Sequence, residues 1–314
     1  MQTDAPEVGF LGSPIQTDLA RLEADVAILG IPHGWAYPRP GATAGCALAP
    51  TAVRHRALRM ARFRDHWDFD LDGPMLPVAD GPRLVDAGDV PGRAGDGPGN
   101  SARTADAVAA ILERGIVPLC IGGDDSVPIP ILRAYEGRGP ITVLQVDAHL
   151  DFRDEVEGVR EGYSSPMRRA SEMEHVERII HVGLRGVGSA RGGDVDDSRA
   201  AGNVLVTARE LRERGVASIL EQLAPDASVF VSFDCDGLDP SVLPAVSAPA
   251  PGGLSYVEAS DLLAGIGPRL VGAAFTEYTP EADVNGISAL TIGRLIVRLA
   301  GDVVSREVSP PDLS

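Results

Sequence analysis

Short apolar runs recur along the whole chain, each about as long as a buried β-strand and bounded by turn residues. These runs span residues 26–30, 83–85, 117–121, 141–146, 179–182, 204–206, 229–233 and 270–275. Helical patterns lie between several of them, at 105–114, 209–223, 256–266 and 288–299. The third of these follows Ser255, which precedes Glu258 at the spacing of a capping box. The alternation of strand and helix predicts an α/β fold with a largely parallel sheet.

The chain of 314 residues, 44% of them hydrophobic, is long enough for one large α/β domain or two modest ones. The Gly- and Pro-rich segment 89–100 is interpreted as a surface loop, and it could also be a linker. Because the strand and helix patterns on both sides of it belong to one alternating series, we expect a single domain over residues 21–308. Residues 1–20 are predicted to form an irregular arm, and residues 309–314 a loose tail.

Charge and composition exclude several classes of protein. The formal net charge of −17 repels nucleic acid and anionic lipid and favours cationic ligands, although it also serves solubility. The sequence contains no lysine, which excludes lysine Schiff-base chemistry and the P-loop and kinase lysines. The cysteines lie far apart, no signal peptide is visible, and no apolar run approaches the roughly 18 residues of a membrane span. We therefore predict a cytoplasmic protein without nucleic-acid or membrane partners.

Acidic side chains follow four of the predicted strands, at the point where each strand ends. One histidine lies among them. In chain order, the four groups are Asp124 and Asp125; Asp147, His149 and Asp151; Asp234, Asp236 and Asp239; and Glu277. The carboxyl ends of parallel strands meet at one edge of a sheet, where ligands bind. So many carboxylates repel one another unless cations lie among them. Hard oxygen ligands with one imidazole suit Mn²⁺, Mg²⁺, Ni²⁺ or Zn²⁺.

Each of these motifs taken alone has a simpler interpretation. A lone Asp-x-Asp pair is commonly a turn or a helix cap, and GGDDS at 122–126 could be a strand-to-helix turn. The combination is harder to explain in this way, because DAHLD at 147–151 and SFDCDGLDP at 232–240 each lie at the end of an apolar strand. Alternation within both motifs puts their ligands on one side of an extended chain. We therefore predict a metal site at this edge of the sheet.

The order of motifs resembles that of the ureohydrolase family, which includes arginases, agmatinases and guanidino-acid hydrolases. The matching segments are LVDAGDV, GGDDS, DAHLD, SFDCDGLDP, PAPGGLS and TEYTPEADVNGIS, together with RPGATAGCALAPTAVR at 39–54, which resembles the family's substrate-side loop. The resemblance covers roughly residues 24–303. It implies a three-layer α/β/α fold with a mainly parallel eight-stranded sheet, assembled as a homo-oligomer, either a trimer or a hexamer.

The resemblance also implies two divalent metal ions, most simply Mn²⁺, with Ni²⁺ as an alternative. Asp147 and Asp234 would bridge the two ions, and Asp151 would complete the first site. The second site would be completed by His149 and Asp236. In the family a histidine also ligates the first metal. This chain has Asp125 at that position, which keeps a ligand but makes the first site all carboxylate.

The implied reaction is attack on a guanidinium carbon by hydroxide that the metals generate from a bridging water, giving urea and an amine. Glu277 would bind the substrate cation, and Asp151 or a neighbouring residue would carry the proton to the leaving amine. Tyr163 occupies the position of a proton-shuttling histidine in the family, but tyrosine, with an ordinary pKa of about 10, is a poor shuttle and a better wall or hydrogen-bond donor. Agmatine-type and guanidino-acid substrates both remain open.

Three further residues are predicted to contact the substrate: His33 and Trp35 after the first strand, and Val246 before PAPGGLS. Simpler interpretations are a buried structural histidine for His33 and an arginine-paired strand end for Glu277. The substrate tail would be recognised by residues 184–199 and 245–249. The first segment could meet either a carboxylate or an amine, because it holds Arg185 and Arg191 beside Asp194, Asp196 and Asp197. The remaining histidines match no ligand pattern; they are His55, His66, His175 and His181.

Two alternatives remain open. One is a degenerate subunit that keeps the fold but has lost turnover, as the replacements at Asp125 and Tyr163 could indicate. The other is a hydrolase of the same family that acts on a formimino or amidine group.

Overall fold

The computed structural model describes residues 1–39, 44–76 and 83–305. Its strands are β1 (Val26–Ile31), β2 (Trp67–Asp68), β3 (Gly73–Pro74), β4 (Leu84–Asp89), β5 (Val117–Gly122), β6 (Ile141–Val146), β7 (Val176–Leu184), β8 (Val204–Thr207), β9 (Val229–Asp234) and β10 (Leu270–Thr276). Its α-helices are α1 (Ala49–Ala61), α2 (Gly97–Leu112), α3 (Pro128–Arg133), α4 (Pro166–Ser171), α5 (Gly192–Ala200), α6 (Ala208–Arg214), α7 (Ala217–Leu220), α8 (Tyr256–Ile266) and α9 (Ile287–Val304). The predicted tail 309–314 and residues 40–43 of the RPGA segment lie outside the described residues.

Eight strands form one sheet in the order β4-β1-β5-β10-β9-β6-β7-β8. All neighbours in it are parallel, and β2 pairs with β3 in a separate antiparallel hairpin. Each of the predicted apolar runs overlaps one of the eight strands. The central strands are buried along their whole length, because helices cover both faces of the sheet. The predicted α/β class is therefore confirmed.

Helices on the two faces of the sheet enclose two hydrophobic cores. One core contains Val53 of α1, Leu262 of α8 and Ile296 of α9. The other contains Val108 of α2 and Ile131 of α3. This arrangement confirms the three-layer α/β/α fold. In the described part of the chain, no helix combines the length and the apolar character needed to cross a bilayer.

The helix starting at Tyr256 has the predicted bounds. Its capping box is formed, since the Glu258 amide donates to Ser255 Oγ at 3.2 Å and the Ser255 amide donates to Glu258 Oε2 at 2.8 Å. The single helix predicted over 209–223 was wrong. The chain instead forms α6 and α7, because Gly215 takes a left-handed φ of 79° and ends α6.

The predicted surface loop 89–100 was too long at both ends. Asp89 is the last residue of β4, and α2 already begins at Gly97. The Asp96 side chain caps α2 by accepting a hydrogen bond from the Gly99 amide at 3.1 Å. Glycine and proline in the first turn of a helix hid this start from the sequence pattern.

Residues 1–20 lack a long regular element but are firmly packed. Phe10 and Leu11 are fully buried in the core that contains α1. The Phe10 amide donates to Asp86 Oδ2 at 2.8 Å, and the Asp4 amide donates to the Asp89 carbonyl at 2.8 Å. The division of the chain into arm, domain and tail stays a prediction.

Candidate metal centre

The four strands that precede the acidic motifs are neighbours in the sheet, in the order β5-β10-β9-β6. Ile121, Phe275, Phe233 and Val146 lie in register across them. The side chains that follow these residues are therefore delivered to one edge, as expected for the carboxyl ends of parallel strands.

Two groups of ligand atoms lie at this edge among the described residues. The first, here called the imidazole group, is Asp147, His149 and Asp236, and the second, the carboxylate group, is Asp125, Asp147 and Asp151. Within each group the ligand atoms lie within 4.8 Å of one another. His149 Nδ1 is 3.1 Å from Asp236 Oδ2 and 3.5 Å from Asp147 Oδ1. Asp147 belongs to both groups.

Asp234 lies at the end of β9 beside the two groups, buried at 3% exposure, but neither group includes it. Its Oδ1 accepts a hydrogen bond from the Asp236 amide at 2.7 Å. Its predicted role as a second bridging ligand stays a prediction.

Asp125 is the residue that best tests whether a cation fits here. Its Oδ1 accepts a hydrogen bond from the Thr276 hydroxyl at 2.6 Å. Its Oδ2 is buried and has no hydrogen-bond partner among the described residues. A buried carboxylate oxygen without a partner is costly, and a divalent ion would satisfy it. Together with the hard oxygens around it and one imidazole, this orphaned oxygen fits a divalent metal site.

The electrostatics of the edge favour added positive charge. Burial, together with the charge of Asp147, raises the pKa of Asp125 and of Asp151 well above the ordinary range of a carboxyl. Hydrogen bonds to Asp147 and Asp236 raise the pKa of His149 to about 10. Both kinds of shift have the same origin, which is negative charge concentrated in a buried place.

Glu277 is held in place by its backbone and its carboxylate. It has a left-handed φ of 63°, and its amide donates to the Gly123 carbonyl at 2.9 Å. Its Oε1 accepts from the Asp125 amide at 2.8 Å, and the Cys46 thiol lies 3.9 Å from its Oε2. Burial, followed by the charge of Asp124, raises the pKa of Glu277 to about 8. Among the described residues no arginine forms an ion pair with Glu277, so the structure offers no support for the simpler interpretation.

A cavity of about 490 Å³ opens above the ligand groups. Its floor and near wall are formed by Asp125, His149, Asp151, Asp234, Asp236 and Glu277. The rest of its lining, here called the far wall, is formed by Tyr163, Ser164, Val187, Gly188, Ser189, Ser247 and Ala248. Residues 187–189 and 247–248 fall in the segments predicted to recognise the substrate tail. The sequence analysis missed Ser164, since no pattern marks a single serine as a cavity wall.

The structure does not place three predicted substrate contacts on this cavity. His33 and Trp35 line a separate cavity of about 10 Å³, about the size of one water molecule, where the Trp35 amide donates to Ser126 Oγ at 2.5 Å. Val246 is only 7% exposed and packs in the core, while the residues that follow it form the wall. Substrate contacts by these three residues stay a prediction that the lining of this cavity does not support.

Arg185, predicted to be able to meet a substrate carboxylate, is fully engaged with the backbone. Its guanidinium donates to the carbonyl oxygens of Gly183, Asp236, Gly237, Leu238 and Ala250 at 2.6–3.2 Å. It therefore fastens the segment after β9 to the segment around Ala250.

Tyr163 lies on the far wall, with its ring centroid 4.3 Å from that of Tyr37. The Tyr37 hydroxyl accepts a hydrogen bond from the Ser164 amide at 3.0 Å, which fixes the pair. Burial raises the pKa of Tyr163, so its phenol stays protonated near neutral pH. This suits a wall or a hydrogen-bond donor rather than a base.

These observations define an α/β/α protein that carries two carboxylate-rich ligand groups at the carboxyl edge of its sheet. Residues 24–301 match the family model described as Arginase family. The mitochondrial agmatinase of Gallus gallus is 30% identical over 298 residues, which cover 92% of this chain and 84% of the relative. The chain belongs to the arginase family, whose hydrolases act on C–N bonds.

Solved structures agree with this assignment. Proclavaminate amidino hydrolase from Streptomyces clavuligerus superposes with a TM-score of 0.79 at 26% identity, covering 96% of this chain and 98% of that chain. Formiminoglutamase from Trypanosoma cruzi, solved with Mn²⁺, superposes with a TM-score of 0.78 at 26% identity, covering 90% of this chain and 95% of that chain.

Proposed function

We propose that the protein is a binuclear-metal amidinohydrolase that cleaves a small guanidino compound, of agmatine or guanidino-acid type, to urea and an amine. The observation that carries the proposal is the pair of ligand groups, which share Asp147 and lie at the floor of a cavity whose wall presents Glu277. Similarity to an agmatinase and to an amidino hydrolase supports the reaction class.

Two divalent ions would be held by the imidazole group and the carboxylate group, with Asp234 as a further ligand. When bound, they supply the acidity that turns a water molecule into a nucleophile near neutral pH. Mn²⁺ is the favoured ion, as the metal named with the similar formiminoglutamase, and Ni²⁺ is the alternative.

Glu277 would bind the substrate cation. Its Oε1 already accepts the Asp125 amide, and a guanidinium placed in the cavity would donate charge-assisted hydrogen bonds to the remaining lone pairs of the carboxylate. This contact orients the guanidinium carbon over the floor of the cavity and leaves the alkyl tail toward Tyr163 and the far wall.

Asp151 would move the proton. As the C–O bond forms, its carboxylate accepts the proton of the nucleophile. It then passes the proton to the amine nitrogen as the C–N bond breaks, and the leaving amine also takes up the proton released when the water was ionised, so the products are urea and a protonated amine. Asp151 is held for this role by a φ of 44° and by its carbonyl, which accepts the Met167 amide at 3.1 Å.

The test is urea release from a panel of guanidino compounds by protein loaded with Mn²⁺ or Ni²⁺, together with the metal content per chain. Urea release with about two metals per chain is expected. A chain that binds no metal under supplementation would instead be a degenerate subunit.

A formimino hydrolase is the second candidate, because the formiminoglutamase structure is similar over 90% of this chain. The product distinguishes the two candidates, since a formimino substrate releases formamide and no urea. A homo-oligomer, either trimer or hexamer, and a cytoplasmic location remain part of the proposal, and light scattering in solution tests the first.

A further inference from the structure

A network of hydrogen-bonded, buried polar side chains extends from Asp147 away from the cavity, into the layer between the sheet and α5. Its members are Gln145 on β6, His181 on β7, Ser198 on α5 and Asn203 just before β8, each at most 9% exposed. None of them touches the cavity, and none was predicted to take part in function.

The donor and the acceptor of each hydrogen bond in this network follow from the groups involved. Gln145 Nε2 lies 2.6 Å from Asp147 Oδ2, and because a carboxylate only accepts, the amide must present its NH₂ group there. The amide oxygen then faces His181 Nδ1, with which it is in hydrogen-bond contact. His181 must therefore carry its proton on Nδ1.

The hydrogen bonds at the other end of this network assign the same tautomer to His181. The Asn203 Oδ1 atom accepts the Ile179 amide at 3.2 Å, so Asn203 Nδ2 donates to Ser198 Oγ at 3.3 Å. The Ser198 hydroxyl is left to donate to His181 Nε2 at 3.5 Å, which requires that nitrogen to be unprotonated. Burial also lowers the pKa of His181 to about 3, which keeps the ring neutral.

Both carboxylate oxygens of Asp147 therefore accept hydrogen bonds. Its Oδ1 accepts the His149 amide at 2.5 Å, and its Oδ2 accepts the Gln145 amide group. We propose that Gln145 and His181 are positioning residues that fix the rotamer of Asp147, so that one carboxylate can serve both ligand groups at once. The proposal rests on the proposed binuclear function, and it concerns metal affinity rather than contact with the substrate.

The physical reason is the shared place of Asp147 in the two groups. A carboxylate that serves two ions must keep both oxygens oriented, and a free χ2 rotation would satisfy one ion at the expense of the other. Partners that orient a ligand in this way typically change metal affinity or activity by about 10- to 100-fold when they are removed.

The experiment measures Mn²⁺ affinity by titration calorimetry on Gln145→Leu, His181→Leu and His181→Asn. Gln145→Leu is expected to weaken Mn²⁺ binding by about 10- to 100-fold, and His181→Leu by less, because it acts through Gln145. His181→Asn keeps a donor near the position of Nδ1 and should recover most of the loss. Once Mn²⁺ is saturating, KM for the guanidino substrate should change little, since Glu277 is untouched.

Tyr135→Phe is the matched control. Tyr135 is fully buried, and its hydroxyl donates to the Val271 carbonyl at 2.8 Å, far from the ligand groups. This variant loses a buried hydrogen bond and stability but should keep wild-type Mn²⁺ affinity. If it loses as much affinity as Gln145→Leu does, the effect is merely structural and the proposal falls.

Two further outcomes are decisive. Folded Gln145→Leu with wild-type affinity overturns the positioning role alone, whereas wild-type protein that binds no Mn²⁺ overturns the proposed function as well. Should the leucine variants fail to fold, ¹⁵N-edited NMR of the wild-type imidazole rings gives an independent answer. It should find His181 as the neutral Nδ1–H tautomer, and an Nε2–H tautomer would contradict the proposal.

Discussion

The two ligand groups share Asp147 but differ in burial and chemistry. The carboxylate group consists of Asp125, Asp147 and Asp151, none more than 6% exposed. The imidazole group contains His149, whose side chain is 17% exposed toward the cavity. An all-carboxylate group favours hard ions, whereas an imidazole widens the choice to Ni²⁺ and Zn²⁺. Two ions at this edge would therefore not be equivalent, although both would be ligated by Asp147.

The largest effect is expected where the two groups meet. Asp147→Asn should abolish metal loading and turnover together, because an amide cannot supply the charge that both groups need. Asp234→Asn is predicted to behave alike if Asp234 also bridges. Elemental analysis and urea release check both variants. An Asp147→Asn protein with two metals per chain and normal turnover would contradict this prediction, because the two groups would then not depend on a common residue.

The second-largest effect distinguishes binding of the substrate at the cavity wall from binding of metal at its floor. Glu277→Gln should keep both metals and lose about 10- to 100-fold in kcat/KM, as expected when a hydrogen bond to a charged group, worth about 1.5–3 kcal/mol, is weakened. Metal content and steady-state kinetics are the measurements. Glu281→Gln, at an exposed position on the same segment, is the control and should behave as wild type. Loss of metal in Glu277→Gln would mean that Glu277 belongs to the metal floor.

A smaller effect is expected on the metal preference of the carboxylate group. Asp125→His puts an imidazole into the carboxylate group, which should leave a two-metal site and shift its preference toward Ni²⁺ or Zn²⁺ over Mn²⁺. Competition dialysis with mixed ions measures this shift. An unchanged preference would mean that Asp125 Oδ2 does not face an ion, and the degenerate-subunit interpretation would gain support.

The smallest effect is expected on the far wall. Tyr163→Phe removes a hydroxyl whose raised pKa keeps it protonated, so it cannot act as a base near neutral pH. At most one ordinary hydrogen bond of about 0.5–1.5 kcal/mol is lost, so kcat/KM should fall by no more than about tenfold. The rate should keep its pH profile. A changed profile would indicate that Tyr163 moves protons after all.

The parts of the fold that were predictable are those determined by local sequence. Buried strands appear as continuous apolar runs, and carboxylates lie at or just after the ends of β5, β6, β9 and β10, so both the sheet and its acidic edge follow from the sequence. Long-range packing decided the rest. Trp35 is turned away from the cavity and packs against the start of α2 at Gly97, a contact that no sequence spacing reveals. Gln145 and His181 meet only because β6 and β7 are neighbours in register.

The hydrogen bonds from Arg185 to the backbone around Asp236 and Ala250 limit which residues could change to alter the substrate specificity of this fold. A substitution of Arg185 would release the carbonyl groups of Ala250 and of Asp236, a predicted metal ligand, so altered selectivity at Arg185 would come with a damaged metal site. Residues 187–189, only two to four positions further on, are exposed at the cavity wall, and their side chains form no such hydrogen bonds to the described residues. Gly188 must stay a glycine, because a Cβ there would lie 2.4 Å from Cδ2 of His149. New specificities are therefore expected to arise at Val187 and Ser189, where a side chain can be exchanged without disturbing a predicted metal ligand.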